Sequence, residues 1–228
     1  MNKEGFVKDT KVYVLEGPDG SGKSTTIKNL KNMFAKDDIM GNEKIIYLRD
    51  QTVHSEVTIK LRELMHNYYD QLDPKTFLML QLASRVELNK IIDKYKFIKG
   101  HIIILDRYFP STLVYQGKHF DRKYIKDLMN MVYGKDLYDN CDKIYVLCND
   151  KPFKDTKDDT IEEGFNYDEI MSQYQDLMLT EFEDMRNSKY VPIDTSDPEF
   201  VNELFNDIKM DTIVQNSVCS IFNWQNYP

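Results

Sequence analysis

Five short runs of apolar residues, at 12–15, 45–48, 102–105, 144–147 and 190–193, punctuate an otherwise mixed chain. Each is continuous rather than alternating, the pattern of a strand covered on both faces. The stretches between them (23–36, 55–69, 74–97, 121–133, 167–187 and 197–209) carry apolar residues at three- and four-residue spacings, as helices with one buried stripe do. Strands alternating with helices predict an α/β fold, a doubly wound five-stranded parallel sheet flanked by helices, with ligands at the carboxyl ends of the strands. The charged stretch 149–164 breaks the alternation and predicts a mobile lid over about 149–166. The tail 211–228 shows no clear period, although it contains Phe222, Trp224 and Tyr227. No internal repeat or Pro/Gly/Ser linker is visible, and 228 residues suit one domain spanning the chain.

Composition narrows the function classes. Apolar residues make up 41% of the chain, yet no run approaches the ~20 needed to span a bilayer. The start MNKEGFVKDT lacks the apolar core of a secretory signal, so the expected location is cytoplasmic, with no membrane partner. Cys141, Cys148 and Cys219 are odd in number and not in CxxC spacing, which speaks against a disulfide framework and a zinc site. A formal net charge of −8 without a long Lys/Arg block disfavours nucleic acid as a partner. Small anions remain, because a nucleotide needs only a few placed cations and backbone N–H groups.

The first apolar run leads into Gly17-Pro18-Asp19-Gly20-Ser21-Gly22-Lys23-Ser24, which satisfies GxxxxGK[ST] between a strand and a helix. Glycines at 17, 20 and 22 let the backbone close around phosphates, and Ser21, Gly22 and Thr25 lie where N–H groups face negative charge. Lys23 reaches the outer phosphate oxygens, and the Ser24 hydroxyl is placed to ligate Mg²⁺. ATP and Mg²⁺ are therefore the expected cofactors. The third apolar run ends in Asp106-Arg107-Tyr108. An acidic residue at that strand end can hold the Mg²⁺ shell, and the arginine beside it faces the anion site. Lys23, Asp106 and Arg107 are the catalytic candidates.

The segment Asp106-Arg107-Tyr108-Phe109-Pro110-Ser111-Thr112-Leu113-Val114-Tyr115-Gln116-Gly117 resembles the DRYxxSxxAYQG block of thymidylate kinases. The run from Glu16 to Thr25 is similar to that family's EGxDGxGKST, and Leu82-Ala83-Ser84-Arg85 to its AxR segment. With Leu61-Arg62-Glu63-Leu64, the likeness covers about 11–117. It implies that Asp19 contacts the sugar 3′-hydroxyl and that Arg107 binds the acceptor phosphate, helped by Arg49. It also implies that Arg85 approaches the base, with Thr112 and Gln116 offering hydrogen bonds and Tyr115 packing where a 2′-hydroxyl would sit. The implied protein is a homodimer that phosphorylates a pyrimidine deoxynucleoside monophosphate, dTMP first, with dUMP and 5-hydroxymethyl-dUMP as alternatives.

Two positions depart from the family pattern. Gly20 and the lid stretch lack the usual arginine, so Lys151, Lys154 and Lys157 are the substitutes expected to supply charge, without the bidentate fork. Gln81 stands four residues before Arg85, where the family carries a stacking Phe. On a helix the two share one face and both reach the base pocket; the bland alternative makes Gln81 a solvated residue and Phe77 the ring contact. Asp50 and Gln51 break the segment that follows Arg49. A phosphate acceptor is already ionised and requires no general base, so His54, His66, His101 and His119 need no catalytic role. A deoxynucleoside kinase would require a carboxylate base, for which Glu16 is the candidate. A nucleotide-binding module without catalysis is the third reading.

Overall fold

The computed structural model describes residues 10–38, 44–50, 55–96, 98, 101–134, 140–151, 166–184 and 189–223. Five parallel strands form one sheet in the order β2-β3-β1-β4-β5. They are β1 (Lys11–Glu16), β2 (Lys44–Arg49), β3 (His101–Asp106), β4 (Lys143–Cys148) and β5 (Tyr190–Asp194), and each contains one of the predicted runs. The helices are α1 (Lys23–Phe34), α2 (Glu56–Asn67), α3 (Pro74–Tyr95), α4 (Phe109–Tyr115), α5 (Arg122–Tyr133), α6 (Tyr167–Asp184) and α7 (Phe200–Asn223).

Strand periodicity explains why the runs are continuous. In β1, β3 and β4, Val12, Val14, Ile103, Leu105, Ile144 and Val146 point into one core, which includes Leu78 and Leu82 of α3, Leu113 of α4 and Tyr174 of α6. Their neighbours Tyr13, Leu15, Ile102, Ile104, Tyr145 and Leu147 enter the second core, with Leu30 and Phe34 of α1 and Leu204 and Ile208 of α7. Both faces are covered, and each fully buried Val, Leu or Ile contributes about 1.5–3 kcal/mol relative to exposure. Strands β3 and β2 lie to one side of β1, while β4 and β5 lie to the other. The chain therefore changes sides at β1, and the crevice beyond its carboxyl end is where such a sheet receives ligands.

Two elements differ from the sequence reading. Helix α4 was not expected, because Phe109 through Val114 are all buried and so show no polar face to mark a period. The stretch 211–228 shows no clear period in sequence, yet α7 continues to Asn223. Thr212 holds a core position there, donating to the Ile208 carbonyl at 2.8 Å and meeting the Tyr13 hydroxyl at 3.4 Å, so a polar residue interrupts the apolar stripe without interrupting the helix. Of the expected lid, residues 152–165, including Lys154 and Lys157, lie outside the described residues. Among the described residues no helix is long and apolar enough to cross a membrane.

Candidate functional site

The loop between β1 and α1 takes its shape from its glycines. Gly17, Gly20 and Gly22 have φ of 136°, 84° and 90°, values that L side chains rarely adopt. A Cβ on Gly17 would also lie 2.8 Å from the Leu147 carbonyl oxygen of β4 and 2.9 Å from Ser21 Oγ. No side chain caps α1, so its first N–H groups remain directed at the loop mouth. Ser24 and Thr25 are exposed there. Lys23 is buried, and its ammonium folds back to donate to the Gly17 carbonyl at 2.8 Å and the Pro18 carbonyl at 2.7 Å. Burial, and then the neighbouring Arg107 charge, lower its pKa to about 7 against the opposing pull of Asp19, Asp106 and Glu16. The loop is a cradle closed on its own lysine, and an incoming anion would restore the charge that burial disfavours.

Arg107 follows β3 and occupies the left-handed region at φ 65°, the one non-glycine among the described residues with positive φ. Such a conformation costs of order 1–3 kcal/mol and persists only where surroundings enforce it. Here the Arg107 N–H donates to the Leu15 carbonyl at 2.9 Å. Its guanidinium donates to Asp19 Oδ1 of the loop at 2.5 Å, to Ser111 Oγ at 3.1 Å, and to the Tyr115 and Tyr174 hydroxyls at 3.2 Å each. Burial alone would raise the Asp19 pKa, but Arg107 and then Lys23 outweigh it and hold the carboxyl below its usual value. Beneath lies Glu16, wholly buried. It accepts from the Tyr108 N–H at 2.7 Å through one oxygen, and from the Ser111 and Tyr174 hydroxyls at 2.7 and 2.8 Å through the other. Burial pushes the Glu16 pKa up. With both oxygens committed, Glu16 anchors β1 to α4 and α6 and is not placed as the base that a hydroxyl acceptor would need.

A second polar cluster lies between α3, α4 and the end of β2. Arg85 has no exposure. It makes a two-point ion pair with Asp50, through Nε to Oδ1 and Nη2 to Oδ2, and donates from Nη1 to Thr112 Oγ1 at 2.7 Å. Its guanidinium carbon sits 5.7 Å from the Tyr108 ring centroid. Asp50, read from the sequence as a break in the segment after Arg49, is thus the counter-charge of Arg85. Gln81, one turn before Arg85 on α3, is 5% exposed and therefore not a solvated residue.

Most of the sequence-predicted residues fall into these two groups. Asp19, Lys23, Arg107 and Tyr115 meet around the loop; Arg85 and Thr112 meet in the second cluster, with Gln81 on the same buried face of α3. Asp106 and Arg49 lie together at the adjacent strand ends, Oδ2 to Nε 3.7 Å, with Arg49 half exposed. Gln116 is buried at the end of α4, where its carbonyl accepts from the His119 and Phe120 N–H groups. Consecutive residues serve both clusters: Arg49 and Ser111 belong to the first, Asp50 and Thr112 to the second. Asp50, Glu16, Ser111 and Tyr174 were not assigned these roles from sequence. Ser111 lies inside the family-like block, whereas Tyr174 on α6 carries no local signal.

A model of the thymidylate kinase family matches residues 15–208. A thymidylate kinase of Mycoplasma mobile is 38% identical over 105 residues, covering 45% of this chain and 49% of its relative. One from Brachyspira hyodysenteriae is 36% identical over 138 residues, covering 60% of this chain and 62% of its relative. The matched stretch thus spans about half to three-fifths of these relatives. The crystal structure of a thymidylate kinase from Ehrlichia chaffeensis superposes with a TM-score of 0.64 over 88% of this chain and 98% of that one, at 22% identity, a likeness of fold.

Proposed function

Because the chain belongs to the thymidylate kinase family, we propose that it transfers the terminal phosphoryl group of ATP to a pyrimidine deoxynucleoside monophosphate, dTMP foremost, to give ADP and dTDP. The observation that carries this reading is Arg107, tied to Asp19 of the phosphate loop at 2.5 Å. It fixes a permanent positive charge beside the donor cradle, where the acceptor's own phosphate needs one.

In this reading Lys23 leaves the Gly17 and Pro18 carbonyls to meet the donor phosphates, together with the loop N–H groups. Arg107 holds the acceptor phosphate, and Arg49 adds charge from the end of β2. Asp19 keeps Oδ1 on Arg107 and offers its second oxygen to the sugar hydroxyl. No residue has to remove a proton, since the attacking oxygen is already ionised; rate comes from alignment and charge neutralisation. Mg²⁺ would supply charge compensation on the transferred group. No group of three or more carboxylate, imidazole or thiol ligands exists among the described residues, which suits a cation bound chiefly through nucleotide oxygens and water. Ser24, exposed at the start of α1, and Asp106 at the end of β3 fit as its protein-side partners.

Lys151, at the edge of the described residues, and Lys154 and Lys157 beyond it are the cations we propose for the closing lid. Val57, Leu64, Tyr68 and Met79 are exposed apolar residues on or beside α2 and α3, and a second copy of the chain is proposed to cover them; light scattering reads the mass. The function is tested by a coupled ADP-release assay across nucleosides and nucleoside monophosphates. Turnover with dTMP and none with thymidine is expected, and the reverse order would replace this reading with a nucleoside kinase.

A further inference from the structure

Two hydroxyls stand between Arg107 and a buried carboxylate. Ser111 Oγ and Tyr174 Oη lie 3.1 and 3.2 Å from Arg107 Nη1, and 2.7 and 2.8 Å from Glu16 Oε2. Ser111 belongs to α4 and Tyr174 to α6, while Glu16 ends β1 and Arg107 follows β3, so the group ties four parts of the chain together. Glu16 and Tyr174 are wholly buried and Ser111 nearly so. Bulk water therefore does not decide where the hydrogens point.

The donors and acceptors decide it instead. Each hydroxyl carries one hydrogen, a guanidinium can only donate, and an ionised carboxylate can only accept. Both hydroxyl hydrogens accordingly go to Glu16, and both hydroxyl oxygens are left to accept the two hydrogens of Nη1. Ser111 and Tyr174 also lie 3.1 Å from each other, but neither has a second hydrogen to offer. The other Glu16 oxygen takes the Tyr108 N–H at 2.7 Å, a donor that cannot be reversed. Nη1 is thus committed to the interior, which fixes the plane of the guanidinium. Nη2 meets Asp19 and Tyr115 on the side of the phosphate loop.

We infer that Glu16 is a positioning residue for the acceptor phosphate: through Ser111 and Tyr174 it orients the guanidinium that this phosphate meets. The inference deepens the proposed function and rests on its reading of Arg107 as the holder of the acceptor phosphate. Glu16 itself never touches substrate. An isosteric amide would invert the chain. In Glu16→Gln the amide oxygen stays on the Tyr108 N–H, and the NH₂ turns towards the two hydroxyls, which must now accept from it. One displaced hydroxyl hydrogen can bridge Ser111 and Tyr174; the other is left facing Nη1, donor against donor. Linked hydrogen bonds in a low-dielectric interior polarise one another, so the inversion is felt at Arg107.

The test compares wild type, Glu16→Gln, Tyr174→Phe and the double variant. The readouts are equilibrium binding of dTMP and of thymidine, which lacks the phosphate, together with kcat/KM for dTMP, the ATP KM, and circular dichroism to establish folding. Glu16→Gln should weaken dTMP about tenfold, leave thymidine binding near wild type, and change the ATP KM less than the dTMP KM. Because the hydroxyls carry the effect, the same substitution should lose less in the Tyr174→Phe background than in wild type. Should Glu16→Gln not fold, Tyr174→Phe and Ser111→Ala bring the same comparison: loss confined to dTMP supports the inference, and parallel loss of thymidine overturns it. A folded Glu16→Gln that keeps wild-type dTMP affinity, or loses dTMP and thymidine equally, overturns the inference and leaves the kinase reading standing. If the loss is confined to dTMP but wild type transfers no phosphoryl group, the inference holds and the kinase reading fails.

Discussion

Removing Asp50 strands a charge. The Arg85 side chain is 1% exposed and that of Asp50 3%, and the two are joined through both carboxylate oxygens. Asp50→Ala leaves a buried guanidinium with Thr112 Oγ1 as its remaining side-chain hydrogen-bond partner. Breaking a buried pair in this way costs about 3–5 kcal/mol, whereas replacing both partners by apolar groups of similar volume is often close to neutral. At roughly 2–4 °C per kcal/mol for a chain of this size, the single variant should melt about 6–20 °C lower. The assay is denaturant and thermal unfolding of wild type, Asp50→Ala, Arg85→Met and the double variant. The coupling energy from this cycle should exceed about 2 kcal/mol, with the double variant more stable than Asp50→Ala. Asp50→Ala within about 0.5 kcal/mol of wild type, or a double variant with purely additive losses, would refute the argument that the pair is held by charge compensation.

Three further outcomes follow from the site. Lys23→Met should abolish turnover while leaving the unfolding midpoint equal or higher, because a buried ammonium is removed; retained activity at normal ATP saturation would count against the cradle. Between pH about 7 and the ordinary lysine range the folded chain binds fewer protons at Lys23 than the unfolded chain, so this group makes stability rise with pH there. ATP binding at pH 8 should then take up a fraction of a proton as the phosphates recharge Lys23, visible as calorimetric heats that vary with buffer ionisation enthalpy, and absent in Lys23→Met. Tyr174→Phe removes a donor to Glu16 and an acceptor for Arg107. It should cost about 1–3 kcal/mol of stability and raise the dTMP KM more than the ATP KM, and equal shifts in both would place Tyr174 away from the acceptor side.

The sheet was legible because strands covered on both faces read as unbroken apolar runs, and all five runs fall inside strands. The phosphate loop was legible for a different reason: its parts are contiguous, so sequence spacing is already spatial spacing. Helix α4 hid itself through complete burial, which erases the contrast between faces on which helix recognition depends. The long-range pairs were the least visible. Asp50 and Arg85 are separated by 35 residues, Arg107 and Tyr174 by 67, and Glu16 and Tyr174 by 158. Nothing local to Asp50 says that an acid after β2 will meet an arginine in the middle of α3; only the packing of α3 beside that strand end does. Glu16 shows the converse difficulty, since its position beside the loop suggests a base while its three nearest donors make it an anchor.

The central claim is that the acceptor is a phosphate held by Arg107, and following the label from γ-³²P-ATP tests it most directly. Wild type incubated with dTMP and Mg²⁺ should place the label on the acceptor's 5′-phosphate to give dTDP, and Arg107→Ala should lose most of that transfer while still binding ATP. Label appearing on a thymidine hydroxyl, or transfer to dTMP undiminished in Arg107→Ala, would contradict the account.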